Sequence, residues 1–411
     1  MKMCRNFTIF VEAIQKNLYA FARIGQTGVE NQMTLKKMIK LRFYIALALM
    51  TTAMVAVAQQ AVPDSLLRRY AAAMLMVGFK GDSITTESDA VRYVRDLHVG
   101  GIILFDVDLT GTKQLGSRNI TTRQRLRQLT SQLRSYSSEP LLIALDQEGG
   151  RVARLKPQYG YEPTVSHRHL GEVNSRDTTM RYARLMADEL VWSGVNMNLA
   201  PDVDVNVNAE CPVIGMLGRS FSADTAVVAQ NAEWFVDAHH AAGVACAVKH
   251  FPGHGSSAAD SHYGLTDVTD TWLPSELHPF SQLIAHGKLD AVMTAHIFNR
   301  QLDAELPATL SHNMLTRLLR NRLGFNGVIL TDDMYMQGIV DNYAIEDAIV
   351  LAINAGADML VMGNNITTGY EPERPFKVVQ MIVDAVKAGK ISPERLRESY
   401  ERIKTLKNRL K

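Results

Sequence analysis

The sequence predicts an α/β protein whose fold is a single (β/α)8 barrel of the TIM type. Beyond Pro63, short apolar runs alternate with longer amphipathic segments, which is the pattern of strand and helix repeats around a parallel sheet. There are eight such runs, and eight parallel strands are the number that closes this barrel. The predicted strands cover residues 74–79, 101–105, 141–146, 195–200, 244–251, 291–297, 327–332 and 359–362.

The segments between the strands suit helices that pack around a barrel. Their apolar residues recur at helical spacing, and most strands lead into polar or glycine-rich residues, which predicts a functional face at the carboxyl ends of the strands. Predicted helices include residues 88–97, 121–136, 178–192, 224–242, 345–355 and, last, 393–410. An open doubly wound sheet is the alternative fold. It usually has fewer strands and a glycine-rich fingerprint after the first one, which Gly78-Phe79-Lys80-Gly81 does not supply.

Composition and charge exclude several classes of protein. The 411 residues are 46% hydrophobic and 21% charged, which is ordinary for a globular protein with a full core and excludes a disordered chain. The 44 basic and 42 acidic residues nearly cancel, so we expect neither nucleic acid nor an anionic membrane as a partner. Three cysteines, Cys4, Cys211 and Cys246, lack the paired spacing of zinc sites and are too few for a disulfide framework.

The amino-terminal region has the anatomy of a secretory signal peptide. Four basic residues between positions 36 and 42 precede an apolar run at 43–57, and small residues suited to cleavage follow at Ala56-Val57-Ala58. The run is shorter than the roughly 20 apolar residues that span a bilayer, which disfavours the alternative of a membrane anchor. We therefore predict an overextended amino terminus at 1–32, a signal peptide at 33–58, and an exported catalytic domain at 59–411, periplasmic or secreted.

The densest group of chemically active side chains follows the fifth predicted strand. It reads Lys249-His250-Phe251-Pro252-Gly253-His254-Gly255 and, after a stretch of small residues, Asp260-Ser261-His262. Such a loop at a strand end suggests catalytic groups on a mobile segment. The Asp260 carboxylate can orient and polarise the His262 imidazole, which would make it a general acid or base near neutral pH. The alternative is a surface histidine with an incidental acidic neighbour.

The same side chains raise the question of a metal site. His250, His254, Asp260 and His262 are all competent ligands. Histidines four residues apart converge on a metal when they lie on a helix, and Pro252-Gly253 between them opposes a helix. The first predicted strand also lacks the His-x-His that metal-dependent barrel hydrolases place there. We therefore expect no metal and no cofactor.

Two adjacent aspartates end the seventh predicted strand. Side chains alternate along a strand, so Asp332 shares a face with Val328 and Leu330, whereas Asp333 points the other way. We expect Asp332 to project into the barrel mouth. A carboxylate there, opposed by a proton donor on another loop, is the equipment for retaining glycoside hydrolysis. The usual structural role of an aspartate at a strand end is to cap the next helix, and we assign that role to Asp333.

Other polar residues follow neighbouring strands. Asp146 ends the third predicted strand on the same face, where its carboxylate could bind two hydroxyl groups. Asp202-Val203-Asp204 follows the fourth strand, and Arg219 lies in the loop beyond. His296 ends the sixth strand and could equally line a pocket or fill the core.

These motifs, in this order, resemble the signatures of glycoside hydrolase family 3, and the match is closest to its β-N-acetylglucosaminidase branch. They are Lys249 to Gly255 with Asp260-Ser261-His262, Asp146-Gln147-Glu148-Gly149-Gly150-Arg151-Val152, and Thr331-Asp332-Asp333-Met334-Tyr335-Met336. The resemblance implies that Asp332 forms a covalent glycosyl-enzyme and that His262, paired with Asp260, is the acid/base. It also implies that Asp146, Arg219, Lys249 and His250 bind the non-reducing sugar. The loop before Arg219 is about two residues longer than usual in that family.

The resemblance implies a retaining exo-β-N-acetylglucosaminidase acting on a glycan, with fragments of peptidoglycan as the expected source. A family-3 β-glucosidase is the nearer alternative, but those enzymes commonly take their acid/base from a second, C-terminal α/β sandwich domain. This chain ends after its last predicted barrel helix, and the loop dyad would supply the acid. The other alternative is a non-catalytic sugar-binding barrel.

Overall fold

Eight parallel strands close into a barrel in the computed structural model of the protein, which describes residues 62–260, 264–366 and 369–410. Each strand pairs with its neighbours in the chain, and the last pairs with the first, so the predicted (β/α)8 fold is confirmed. The strands are β1 (Leu75–Val77), β2 (Gly101–Ile103), β3 (Leu142–Leu145), β4 (Met197–Asn198), β5 (Ala245–Phe251), β6 (Ala291–Thr294), β7 (Val328–Asp333) and β8 (Met359–Met362).

Helices separate the barrel strands, as the spacing of apolar residues predicts. The α-helices are Asp64–Ala73, Asp89–Val91, Arg123–Tyr136, His167–Val173, Arg176–Trp192, Thr225–Ala241, His278–Ala285, Gln337–Val340, Ile345–Ala355, Arg374–Lys387 and Pro393–Arg409. Two segments, Arg92–Leu97 and Asn313–Arg322, are wound as π-helix. Short 3-10 turns occur at Pro157–Tyr159, Pro274–Leu277 and Ala308–Leu310.

Side chains at the helix starts explain several of these boundaries. The Thr122 hydroxyl accepts the Arg125 N–H at 3.2 Å, and the Asp224 carboxylate accepts the Ala226 N–H at 2.8 Å. Ser392 accepts the Arg395 N–H at 3.1 Å, with proline in the first turn of the helix that follows. Each cap satisfies an N–H that has no partner within its helix, which stabilises the helix start by about 1 kcal/mol.

The core lies inside the barrel and between the barrel and its helices. Almost every strand residue is buried, including Ile143, Val248 and Ile329, which are fully buried. This two-sided burial explains the nearly continuous apolar runs in the sequence. Each such side chain contributes about 1.5–3 kcal/mol by leaving water, so the strands form a rigid platform for the loops at their carboxyl ends.

Two barrel strands depart from regular alternation where they end. The register of β5 against β6 shifts between Val248 and Phe251, and that of β7 against β8 shifts between Leu330 and Asp333. A shift of this kind inserts an extra residue and re-aims the side chains after it. The carboxyl ends of β5 and β7 are therefore the places where strand parity fails to predict side-chain direction.

No helix in the described part of the chain is long and apolar enough to cross a membrane. Pro63–Lys411. The predicted overextended terminus at 1–32 and the predicted signal peptide at 33–58 lie outside the described residues.

Candidate active site

Lys249 lies at the centre of a buried charge network at the carboxyl ends of β3, β4 and β5. Its Nζ lies 2.8 Å from Asp146 Oδ1 and 2.7 Å from Glu148 Oε1, and its side chain is 2% exposed. Burial alone would lower the pKa of Lys249, but the charges of Asp146 and Glu148 outweigh it and raise the pKa. Lys249 is therefore a permanent cation that both carboxylates contact.

A second cation, Arg154, holds the other oxygen of Asp146. Arg154 Nη2 donates to Asp146 Oδ2 at 2.9 Å. Burial would raise the pKa of Asp146, yet Lys249 and Arg154 together keep it well below the usual range. The sequence interpretation missed Arg154. The available signal was its position in the segment Asp146–Arg154, which turns back as a short antiparallel ribbon, Gln147–Gly149 with Val152–Ala153, and so returns Arg154 to Asp146.

Arg219 reaches the network from the long loop after β4. Its Nε and Nη2 donate to the two oxygens of Glu148, each at 2.8 Å, and its Nη1 donates to the Val213 carbonyl at 2.9 Å. The extra residues predicted before Arg219 lie in a turn in which Gly218 has φ +68° and Met216 is 60% exposed. The added length therefore bulges into solvent, and Arg219 keeps its reach.

His250 faces the same network, and its ring is held at both nitrogens. Nδ1 lies 2.7 Å from Asp204 Oδ2, and Nε2 lies 3.2 Å from Arg219 Nη2. A guanidinium can only donate, so Nε2 accepts and the ring proton resides on Nδ1, which donates to Asp204. The register shift in β5 turns Lys249 and His250 to one network, although strand alternation would separate them. The peptide bond between the two residues is cis.

Two buried aspartates and His250 form the one group of potential metal ligands found among the described residues. One ligand atom from each of Asp202, Asp204 and His250 lies within 4.8 Å of the others. Asp202 Oδ2 also lies 3.3 Å from Arg219 Nε. Burial and the adjacent charge of Asp204 raise the pKa of Asp202 well above its usual range. The cation that these side chains already face is Arg219.

His254 secures the base of the loop that carries the predicted acid. Its backbone N–H donates to Asp204 Oδ1 at 2.7 Å, and its Nδ1 lies 2.8 Å from the Ser257 hydroxyl. Burial lowers the pKa of His254 to about 4, so the ring is neutral at physiological pH. Asn208 binds the Ser257 carbonyl at 2.9 Å from the β4 side. Asp260 is half-buried at the end of this described segment, and His262 lies outside the described residues.

Asp332 and Asp333 lie at the carboxyl end of β7, on the same face of the barrel as the network. Asp332 Oδ1 accepts the Asp333 N–H at 2.8 Å. Asp333 accepts the Tyr335 N–H through Oδ1 and the Gly363 N–H through Oδ2, both at 3.0 Å. The helix cap predicted for Asp333 is wrong, because the next helix begins after Met336 and the carboxylate instead closes a turn and bridges to β8. Burial, with the nearby charge of Asp332, raises the pKa of Asp333 to about 6.

The uncertain position of His296 is resolved in favour of the core. The residue is fully buried, its Nδ1 lies 2.8 Å from the Thr309 hydroxyl and its Nε2 lies 2.9 Å from the Asp333 carbonyl oxygen. His296 therefore contacts the strand end that carries Asp332.

The structure brings four predicted residues into one network: Asp146, Arg219, Lys249 and His250. Glu148, Arg154 and Asp204 complete it, and the sequence interpretation gave none of these three a role. The signal in the sequence that could have identified them was their position, since each lies in a segment that follows β3 or β4. A site that holds fixed donors and acceptors of both signs can bind a neutral polyhydroxylated ligand beside a carboxylate on β7.

Comparisons with known proteins show which family the chain resembles. Residues 66–406 match the family model described as glycosyl hydrolase family 3 N terminal domain. A β-hexosaminidase from Tolumonas auensis is 37% identical over 294 residues, which cover 71% of this chain and 83% of the relative. Beta-hexosaminidase A from Pseudoalteromonas piscicida is 36% identical over 76% of this chain, but the match spans only 54% of that relative.

A solved structure shows the same likeness in three dimensions. The family 3 β-N-acetylglucosaminidase from a Paenibacillus species superposes with a TM-score of 0.74 at 35% identity. The match covers 84% of this chain and 62% of that chain, so the Paenibacillus enzyme is substantially longer than the part it shares.

Proposed function

The chain belongs to glycoside hydrolase family 3, and from that membership we propose that it is a retaining exo-β-N-acetylglucosaminidase. It would remove terminal β-linked N-acetylglucosamine from a glycan. The names of its relatives support the choice of sugar, since two are β-hexosaminidases and the Paenibacillus structure is a β-N-acetylglucosaminidase. The observation that carries the proposal is the network of Asp146, Lys249, Arg219 and His250 at the barrel mouth.

The network has the properties of a subsite for the non-reducing sugar. The side chains of Asp146, Arg219 and His250 are each 9–15% exposed. Only a small part of each side chain is therefore accessible from the mouth, and ion pairs hold each side chain in place. A carboxylate accepts hydroxyl protons, and ammonium and guanidinium groups donate to hydroxyl oxygens. Because the partners of these groups are already in place, sugar binding would not require the side chains to be ordered first.

Asp332 would act as the nucleophile. Its carboxylate attacks the anomeric carbon, the glycosidic bond breaks, and His262 donates a proton to the departing oxygen. The resulting ester on Asp332 is cleaved by water, from which His262 removes a proton, so the enzyme returns to its starting state with the sugar configuration retained. Asp260 would orient His262. No cofactor or metal takes part in this proposal.

The proposed substrate is a peptidoglycan-derived muropeptide or disaccharide outside the cytoplasm. The support for export is the basic and apolar pattern at residues 33–58, which is that of a signal peptide. Amino-terminal sequencing of the exported protein tests this part, with an expected start at or near Gln59. Retention of residues 43–57 would indicate an anchored enzyme instead.

One panel of aryl β-glycosides tests the proposal against both alternatives. The panel varies the group at carbon 2, so that it contains the glucoside and the N-acetylglucosaminide with the same leaving group. We expect turnover of the N-acetylglucosaminide to predominate, and NMR to show the β-anomer of the product first. Preference for the glucoside would identify a family-3 β-glucosidase. Binding without turnover of any member would identify a non-catalytic barrel, and Asp332→Ala is the inactive control.

A further inference from the structure

The geometry points to His296 as the positioning residue for the nucleophile, and this inference rests on the role proposed for Asp332. We infer that the His296 ring holds the end of β7 from the β6 side and thereby fixes the position of the Asp332 carboxylate. The end of β7 is irregular, whereas a regular strand would need no such support.

The end of β7 is held from the β8 side by two side-chain contacts and one backbone bond, from the Met334 N–H to the Val361 carbonyl at 3.0 Å, rather than by a regular ladder. After Leu330 the register shifts, and the Thr331 hydroxyl accepts the Val361 N–H at 3.1 Å in place of a backbone carbonyl. Asp333 Oδ2 then accepts the Gly363 N–H at 3.0 Å. The bulge lies between Leu330 and Asp333, and it includes the peptide that links Asp332 to Asp333. The Asp333 carbonyl accepts the Met336 N–H at 3.0 Å in the turn that follows, and a carbonyl oxygen can accept a second hydrogen bond.

His296 supplies that contact. It follows β6, the other neighbour of β7, and its Nε2 lies 2.9 Å from the Asp333 carbonyl oxygen. A carbonyl only accepts, so Nε2 carries the proton and donates it. The Thr309 hydroxyl lies 2.8 Å from Nδ1 and 2.9 Å from the Ala295 carbonyl oxygen, and these contacts restrain the plane of the ring. The ring therefore cannot rotate away without breaking bonds at both nitrogens.

The effect reaches Asp332 through one residue of backbone. The Asp333 N–H donates to Asp332 Oδ1 at 2.8 Å, and the carbonyl of the same Asp333 accepts from His296. The N–H of that residue is thus engaged with the nucleophile, and its carbonyl is engaged with the ring and with the Met336 N–H. A carboxylate displaced by about 1 Å from an attacking geometry can cost about 100-fold in rate.

We assign His296 to the strand end and not to the sugar. It is fully buried, as are Thr309 and Ala295 beside it. A direct catalytic role would require the ring to reach the mouth. Its contribution is therefore positional, and the expected signature is a loss in kcat without a loss in binding of the non-reducing sugar.

Two substitutions of the same residue separate the donor from the ring. Glutamine places an amide N–H near the position of Nε2, whereas asparagine is too short to reach the Asp333 carbonyl. With 4-nitrophenyl N-acetyl-β-glucosaminide we expect His296→Asn to lose about 10- to 100-fold in kcat and His296→Gln to retain most of it. The inhibition constant of free N-acetylglucosamine should be unchanged in both variants. Equal losses in the two variants, or a loss confined to that inhibition constant, would overturn the inference.

A matched pair of threonine variants controls for the loss of a buried hydroxyl. Thr309→Val removes the group that orients the ring, and Thr179→Val removes an equally buried hydroxyl that donates to Asn231 at 2.7 Å between two outer helices. Thermal unfolding should show a similar destabilisation for both. We expect only Thr309→Val to lower kcat, and equal kcat values in the two variants would contradict the positioning role.

Crystal structures of the two His296 variants test the inference without reference to turnover. In His296→Asn the Asp332–Asp333 peptide should move, and in His296→Gln it should stay. An unmoved peptide in the asparagine variant would refute the positioning role, whether or not the variant had lost activity. Conversely, full activity of Asp332→Asn would refute the proposed nucleophile, while a moved peptide would still support the contact from His296.

Discussion

Arg219 forms a bidentate ion pair with Glu148, with Nε to Oε2 and Nη2 to Oε1 both at 2.8 Å. The two residues lie 71 positions apart, on loops that follow β4 and β3. Glu148 is almost wholly buried and also contacts Lys249. Because a buried charge is costly unless it is paired, this carboxylate connects the two cations of the network and fixes the distance between them.

Glu148→Gln should therefore destabilise the protein and weaken sugar binding. The substitution keeps the shape but leaves Arg219 and Lys249 with one negative charge fewer, and breaking a buried ion pair costs about 3–5 kcal/mol. Denaturant unfolding and the KM for an aryl N-acetylglucosaminide would measure both effects. Glu139→Gln is the matched control, since Glu139 pairs with Arg69 on the surface and its loss should cost less than about 1 kcal/mol. Equal unfolding free energies for the two variants would refute the role of Glu148.

Asp333→Asn should lose stability and activity, although simple strand alternation predicts a side chain that points away from the mouth. The carboxylate accepts two backbone N–H groups, from Tyr335 and Gly363, whereas an amide offers one acceptor oxygen and turns its own N–H group towards the other donor. A buried donor left without a partner costs about 1–3 kcal/mol. Thermal unfolding and kcat check the expectation. A variant with wild-type values for both would show that the turn holds without these bonds.

Glu276→Gln should change how stability depends on pH. Glu276 is fully buried and accepts the Leu273 N–H at 3.0 Å, and burial raises its pKa from 4.5 to about 7. The unfolded chain loses this proton near pH 4.5 while the folded protein keeps it, so the group's stabilising contribution is complete at low pH and is lost as the pH rises towards 7. Unfolding free energies from pH 5 to pH 8 should fall more steeply for the wild type than for the variant. Parallel curves would show that Glu276 titrates normally.

His262→Ala should discriminate between leaving groups. An activated phenol departs without a proton, so its release should be largely spared, whereas a sugar leaving group should be released about 10²–10⁴-fold more slowly. Asp260→Asn should lie between the wild type and His262→Ala, because it removes only the orienting charge. Rates with an aryl glycoside and a disaccharide provide the comparison. Equal losses on both substrates would exclude His262 as the acid.

Chelation should leave activity intact. The His250 ring nitrogens face Asp204 and Arg219, so two contacts already use the positions through which this histidine would bind a metal. Activity is measured after dialysis against a strong chelator, with and without added zinc. Loss of activity followed by recovery with zinc would place a metal at Asp202, Asp204 and His250, or elsewhere in the site.

The strand pattern predicted the barrel well because burial on both faces leaves a local record. Each apolar run in the sequence corresponds to a barrel strand, and the polar residues after β3, β5 and β7 lie on one face of it. Alternation failed between Lys249 and His250, and the helix-cap prediction failed at Asp333, in both cases at a strand end where the register shifts. The register shifts in β5 and β7 depend on how each strand pairs with its neighbour, which no local pattern records.

The sequence by itself determined which residues are buried in strands, where the strands lie to within about three residues, and which motifs carry the resemblance to family 3. Tertiary structure decided which charges meet. Arg154 returns to Asp146 through a ribbon, Arg219 reaches Glu148 despite a longer loop, and His296 contacts the backbone beside Asp332. Hydrophobic burial repeats along the chain and can be read locally. An ion pair or a hydrogen bond between distant residues depends on distances of about 3 Å that exist only once the barrel has closed.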